Sequence, residues 1–232
     1  MDGAFGYYGK IPAQGDFMRK GLSPDFISRW DTWLQGVLVS GREALGNGWQ
    51  DAYFSAPIWR FALPAGAIGA TAAVGVLMPS VDRVGRQFPL TLACECDAPS
   101  AWAAYQSASA LFVRLEDLAL GMLEDTAATA DLEEGLAQLT MPRQQTALKF
   151  GVAGSAMTMS GGAVAEDALI AAGMLSSYGH ATCLWLASID GIHRVMVTSG
   201  LPEGVEEACA LMDSSHSGWA VPKAPLDLEE LI

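Results

Sequence analysis

Basic residues are scarce in this chain. Its 232 residues include 13 Lys plus Arg against 26 Asp plus Glu, a formal net charge of −13. That excludes the basic footprint of a nucleic-acid-binding surface and argues against anionic lipid as a partner. Cysteine is scarce as well. Four in 232 residues (Cys94, Cys96, Cys183 and Cys209) do not make a disulfide scaffold. Cys94 and Cys96 sit two apart in an expected strand and share a face. Together with His180, His193 and His216 they show no zinc-ligand spacing. The expectation is four buried, reduced thiols, no metal and no cofactor, which suits a cytoplasm.

Long uninterrupted apolar runs are also missing. The opening Met1-Asp2-Gly3-Ala4-Phe5 lacks the basic and apolar regions of a signal peptide. Residues 61–81 carry no charge but contain Pro64, Gly66, Gly69, Gly75 and Pro79. Residues 168–189 are broken by Ser176-Ser177-Tyr178-Gly179-His180. Neither has the continuous apolar length of a spanning helix. The expectation is a cytoplasmic protein that does not insert into membranes.

The common catalytic signatures are absent too. Gly9-Lys10 resembles the end of a phosphate-binding loop, but Ala4 stands where the first glycine belongs and Ile11 where the magnesium-binding hydroxyl belongs. No Gly-x-Ser-x-Gly elbow occurs around Ser155 or Ser160. No residue supplies a base beside a nucleophile. The residues therefore point away from an enzyme.

What is present is apolar patterning: hydrophobic residues make up 51% of the chain and charged residues 17%. This is enough for a full core. A short aromatic strand is expected at 4–9. Ser23-Pro24-Asp25 reads as N-cap, N1 and first turn of a helix. Its stripe is Phe26, Trp30, Trp33, Leu34, Val37 and Leu38. The helix should end near Gly46. Residues 57–63, 72–78 and 88–96 read as three strands with short links, hence antiparallel. A long helix is expected over 99–123 and a second, acidic one over 131–139. Residues 140–164 look loop-like apart from a short strand at 148–150. A helix at 165–175 follows, then strands at 182–189 and 193–199 around Asp190-Gly191, a hairpin signal. A last helix spans 202–212. This order predicts an α/β fold in one domain over 1–232, with a mostly antiparallel sheet and helices on both faces. Trp30, Trp33, Trp59, Trp102 and Trp185 are expected in the core. Trp49 and Trp219, beside glycines, are candidates for an interface.

Charge is uneven along the chain. Residues 1–100 hold 8 basic and 9 acidic groups, whereas 101–232 hold 5 and 17. Glu116, Asp117, Glu124, Asp125, Asp131, Glu133 and Glu134 are the densest acidic stretch. They read as a solvated helical face or a docking face for a basic partner. The most unusual segment is 78–89, which places Asp82, Arg83 and Arg86 within five residues, with Gly85 permitting a sharp bend. It can be a local ion-pair network or a recognition loop whose Arg forks grip a carboxylate or phosphate.

Several runs resemble the TagF family of bacterial type VI secretion. They are Gly6-Tyr7-Tyr8-Gly9-Lys10-Ile11-Pro12, Gly15-Asp16-Phe17, Trp30-Asp31-x-Trp33-Leu34, Pro57-x-Trp59-Arg60-Phe61 and the stretch from Gly75-Val76-Leu77-Met78-Pro79 through Phe88-Pro89-Leu90. Leu184-Trp185 and Gly200-Leu201-Pro202 extend the resemblance. It implies an α/β/α sandwich of longin- or profilin-like character. It also implies a cytoplasmic accessory protein that represses type VI secretion after translation, by contacting the forkhead-associated (FHA) domain scaffold. The expected interaction face is formed by the 10–17 and 80–86 loops, with Lys10, Gln14, Asp16, Asp82, Arg83 and Arg86 as partner-binding residues. Alternatives are a hydrolase acting on a modified partner, motivated by Ser80 beside Asp82 and the arginines, and an adaptor for a small GTPase.

Overall fold

A computed structural model describes residues 3–124, 126–142, 149–153, 156–160, 171–175 and 182–219. Seven strands form one sheet: β1 (Phe5–Gly9), β2 (Met18–Lys20), β3 (Trp59–Leu63), β4 (Ala72–Met78), β5 (Leu90–Cys96), β8 (Thr182–Ile189) and β9 (Ile192–Ser199). Their order is β2-β1-β5-β4-β3-β8-β9, and all six neighbouring pairs are antiparallel. A separate hairpin pairs β6 (Lys149–Ala153) with β7 (Ala156–Ser160).

Strand alternation sorts the core into two layers. Ala72, Val74, Val76 and Met78 of β4 face one side, with Leu90, Leu92, Cys94 and Cys96 of β5. There they pack against α3 (Ala101–Ala108), α4 (Phe112–Gly121) and α5 (Thr129–Ala137). Trp59, Phe61 and Leu63 of β3 face the other side, with Trp185 of β8. These meet α1 (Pro24–Leu45), α2 (Trp49–Ser55) and α6 (Val205–Met212). The result is an α/β/α arrangement, as the element order and apolar patterning predict. Each large side chain buried this way contributes about 1.5–3 kcal/mol.

The α1 face is held by indoles that are both packed and hydrogen-bonded. Trp30 is fully buried and donates to Thr91 Oγ1 at 2.7 Å. Trp33 donates to the Pro202 carbonyl at 2.9 Å and Trp59 to that of Leu211 at 2.8 Å. Buried indole N–H groups need such partners. The four cysteines are buried.

Several expectations are corrected. The helix expected over 99–123 is two helices, α3 and α4, separated by a turn at 109–111. Residues 149–150 of the strand expected at 148–150 belong to the β6–β7 hairpin, and residue 148 lies outside the described residues. β2 and α2 were not foreseen. Trp49 opens α2 and is buried. Trp219 lies against Trp59, with ring centroids 5.7 Å apart, and donates to the Ala210 carbonyl. Residues 171–175 of the helix expected at 165–175 are helical; its remainder and the acidic tail after Trp219 lie outside the described residues. Among the described residues no helix is long and apolar enough to cross a membrane.

Candidate functional site

Antiparallel register decides which loops meet. Tyr8 near the end of β1 pairs with Thr91 at the start of β5, and Met78 at the end of β4 pairs with Leu90. The 10–17 and 79–89 loops therefore leave the same end of the sheet, and they converge as expected. Gly9 makes the exit possible. Its φ is 144°, and a Cβ there would lie 2.2 Å from the Pro89 carbonyl oxygen, so only glycine fits.

The 80–88 segment folds into a short hairpin. The Asp82 amide donates to the Arg86 carbonyl at 3.1 Å, Gly85 N–H to the Asp82 carbonyl at 2.8 Å, and Phe88 N–H to the Ser80 carbonyl at 3.0 Å. Gly85 has φ 82°, which closes the turn without a Cβ penalty. The Asp82 side chain is fully buried and organises this tip. Its Oδ1 accepts from the amides of Val84 (3.1 Å) and Arg86 (2.9 Å). Its Oδ2 accepts from Lys10 Nζ (3.0 Å) and Arg86 Nε (2.6 Å). Burial by itself would raise the carboxyl pKa. The Arg86 amide, the Lys10 ammonium, the Arg86 guanidinium and the Val84 amide together hold it well below the usual range.

Two bonds stitch the loops together. Arg83 N–H donates to the Gln14 carbonyl at 2.9 Å, and Arg86 Nη2 to the Gly15 carbonyl at 2.8 Å. Phe17 stacks on Tyr8 and meets Phe88 edge-on at 4.7 Å, while the Lys10 ammonium sits 4.8 Å from the Phe17 ring centre. From below, Tyr53 of α2 donates to the Ser80 carbonyl at 2.7 Å and accepts from the Ser80 amide at 3.1 Å. Burial pushes the Tyr53 phenol pKa up, so it stays neutral and keeps both bonds. Trp49 Nε1 donates to Gln87 Oε1 at 2.6 Å.

All six predicted residues come together, but in different roles. Lys10 and Asp82 are buried. Gln14 is half-buried and ties the loops through its carbonyl. Asp16, Arg83 and Arg86 are exposed. Ser80, the motive for a hydrolase, is buried, so neither it nor Asp82 is presented at the surface. Sequence reasoning missed Tyr53, Trp49 and Gln87. The i, i+4 spacing of Trp49 and Tyr53 after the glycines at 46 and 48 was the available signal.

A sequence model described as the TagF N-terminal domain, type VI secretion system-associated, matches residues 6–139. The chain belongs to the TagF family. It is thus a type VI secretion system-associated protein. The crystal structure of PA0076 from Pseudomonas aeruginosa PAO1 is similar, with 31% sequence identity and a TM-score of 0.76. The similarity covers 96% of this chain and 99% of that one. No curated protein matches.

Both candidate loops lie inside the span that the TagF model matches, as does the acidic stretch. Two of its acids are paired with side chains of the sheet strands. Glu116 takes a bidentate grip from Arg60 of β3, both contacts at 2.7 Å. Glu133 of α5 accepts from Lys20 Nζ at 2.5 Å and from Tyr7 Oη at 2.8 Å. That cluster lines an open cleft of about 380 Å³ between β1, β2 and α5, with Phe5 and Leu136 among its apolar walls.

Proposed function

We propose that this TagF-family protein is a non-catalytic cytoplasmic accessory protein that restrains type VI secretion after translation, by binding the FHA-domain scaffold of the secretion system. The observation that carries this reading is the family match across both converging loops. They form a rigid, cross-tied face whose acidic centre is consumed by structural bonds. Such a face presents exposed side chains to a partner at little ordering cost. Titration of the purified scaffold, phosphorylated and unphosphorylated, into the purified protein by calorimetry tests the reading. Micromolar or tighter binding to either form, roughly −8 kcal/mol or better, supports a stoichiometric repressor. No binding to either form, with a different protein recovered by untargeted pull-down, overturns it.

A further inference from the structure

The Arg83–Arg86 tip carries a surplus of positive charge in a chain with a net charge of −13. Three cations, Lys10, Arg83 and Arg86, gather there with two carboxylates, buried Asp82 and exposed Asp16. One carboxylate, Asp82, takes two of them, Lys10 at 3.0 Å and Arg86 at 2.6 Å. Among the described residues no carboxylate lies within 4.0 Å of a side-chain nitrogen of Arg83. Its guanidinium lies over Gly15 instead: a Cβ built on Gly15 would be 3.6 Å from Arg83 Nη2. The Gly15 carbonyl already receives Arg86 Nη2 at 2.8 Å. Two guanidinium groups thus meet at one glycine, and one of them has no acid of its own. Beside it Val84 is 71% exposed and Phe17 46% exposed.

From this juxtaposition we infer that the docking partner is a protein offering a carboxylate next to a small apolar recess. The carboxylate pairs with Arg83 above Gly15, and the recess takes Val84. This rests on the reading that the loop pair binds a partner. Arg suits the task because its planar fork grips a carboxylate through two parallel N–H donors. The tip suits it because its backbone is already fixed by Asp82 and by the bonds to Gln14 and Gly15, so docking orders few new groups. Lys10 and Asp82 hold the tip from beneath and do not touch the partner.

The test titrates the FHA-domain scaffold into four proteins by calorimetry: wild type, Arg83→Glu, Val84→Asp and Gly15→Asp. Gly15 has no positive φ, and its Cβ position is uncrowded, so the backbone there tolerates Gly15→Asp. It places an internal carboxylate where the partner's would sit. Each variant is expected to weaken binding at least about tenfold, with circular dichroism and the thermal midpoint unchanged. Wild-type affinity should also fall with added salt. Near-wild-type affinity in both Arg83→Glu and Gly15→Asp overturns the inference while leaving the partner assignment standing. A loss confined to the phosphorylated scaffold overturns the carboxylate and assigns a phosphate. Failure of the wild type to bind either form removes the underlying reading, and the inference with it.

Discussion

Two carboxylates, Asp82 in the β4–β5 loop and Glu133 on α5, show what burial does to one kind of chemistry. Asp82 and Glu133 each take a lysine and a second side-chain donor. At Asp82 the partners are Lys10 and Arg86; the Asp82 and Lys10 side chains are 0% and 9% exposed. At Glu133 they are Lys20 and Tyr7, and the ion-paired side chains are 35% and 60% exposed. Water competes for the second carboxylate and hardly reaches the first. Accordingly Asp82 spends both oxygens on four protein donors, since a buried acceptor without a partner costs the full desolvation penalty. Burial turns a pairing that elsewhere decorates a surface into one that sets a loop's shape.

Breaking the buried member should have the largest effect. Asp82→Ala strands the Lys10 ammonium and frees two turn amides. A loss of about 3–5 kcal/mol is expected in denaturant unfolding. Lys10→Met keeps the stem's packing and leaves Asp82 with Arg86 and both amides. Its expected cost is smaller, about 2 kcal/mol. The double variant should cost less than the sum of the two, because the stranded charge is gone. Strict additivity would refute coupling through the pair.

pH sharpens the same contrast. A depressed folded pKa gives stability that is fully present above the unfolded value, about 3.9 for aspartate. It is lost as pH falls through the folded value. The Asp82 contribution should therefore be intact at neutral pH and drain away below about pH 4. Asp82→Asn should flatten that acid limb. The thiols give an independent readout. Burial pushes Cys94 and Cys183 up to about 12 and Cys96 up to about 11. All three should resist alkylation at neutral pH until the chain unfolds, and in Asp82→Ala they should react sooner.

How much of this could be read from residues alone follows from where the causes lie. α1 was legible because its cap is local: Ser23 Oγ accepts from the Phe26 amide at 3.2 Å, and the apolar stripe follows directly. The β8–β9 turn was legible because Asp190 and Gly191 both take positive φ. β2 was not, since three residues with two exposed charges carry no periodicity. The break between α3 and α4 was hidden because Ser109-Ala110-Leu111 contains neither glycine nor proline. At the site, the convergence of the loops was expected because both leave the same sheet; the strand order that brings them to one end is seen only in the fold. The burial of Lys10 was not expected, because the acid that neutralises it stands 72 residues away. Nothing local distinguishes a lysine with a distant partner from one in water.

The more exposed of the two carboxylates, Glu133, supplies the smallest expected effect and the closing control. Glu133→Gln and Lys20→Ala should barely move the unfolding midpoint, and any loss should vanish in high salt, as exposed pairs are screened. The phenol beside them gives a finer measure. Tyr7 is pushed up to about 12, first by burial and then by its bond to Glu133 and that group's charge. Glu133→Gln removes the charge and keeps an acceptor. The Tyr7 titration, followed by phenolate absorbance, should move down but stay above 10, because burial is the larger cause. A fall to 10 would mean that the cleft is wetter than its Phe5 and Leu136 walls imply. The contrast in exposure between the two carboxylates would then be wider still, since the cleft around Glu133 would behave as open solvent.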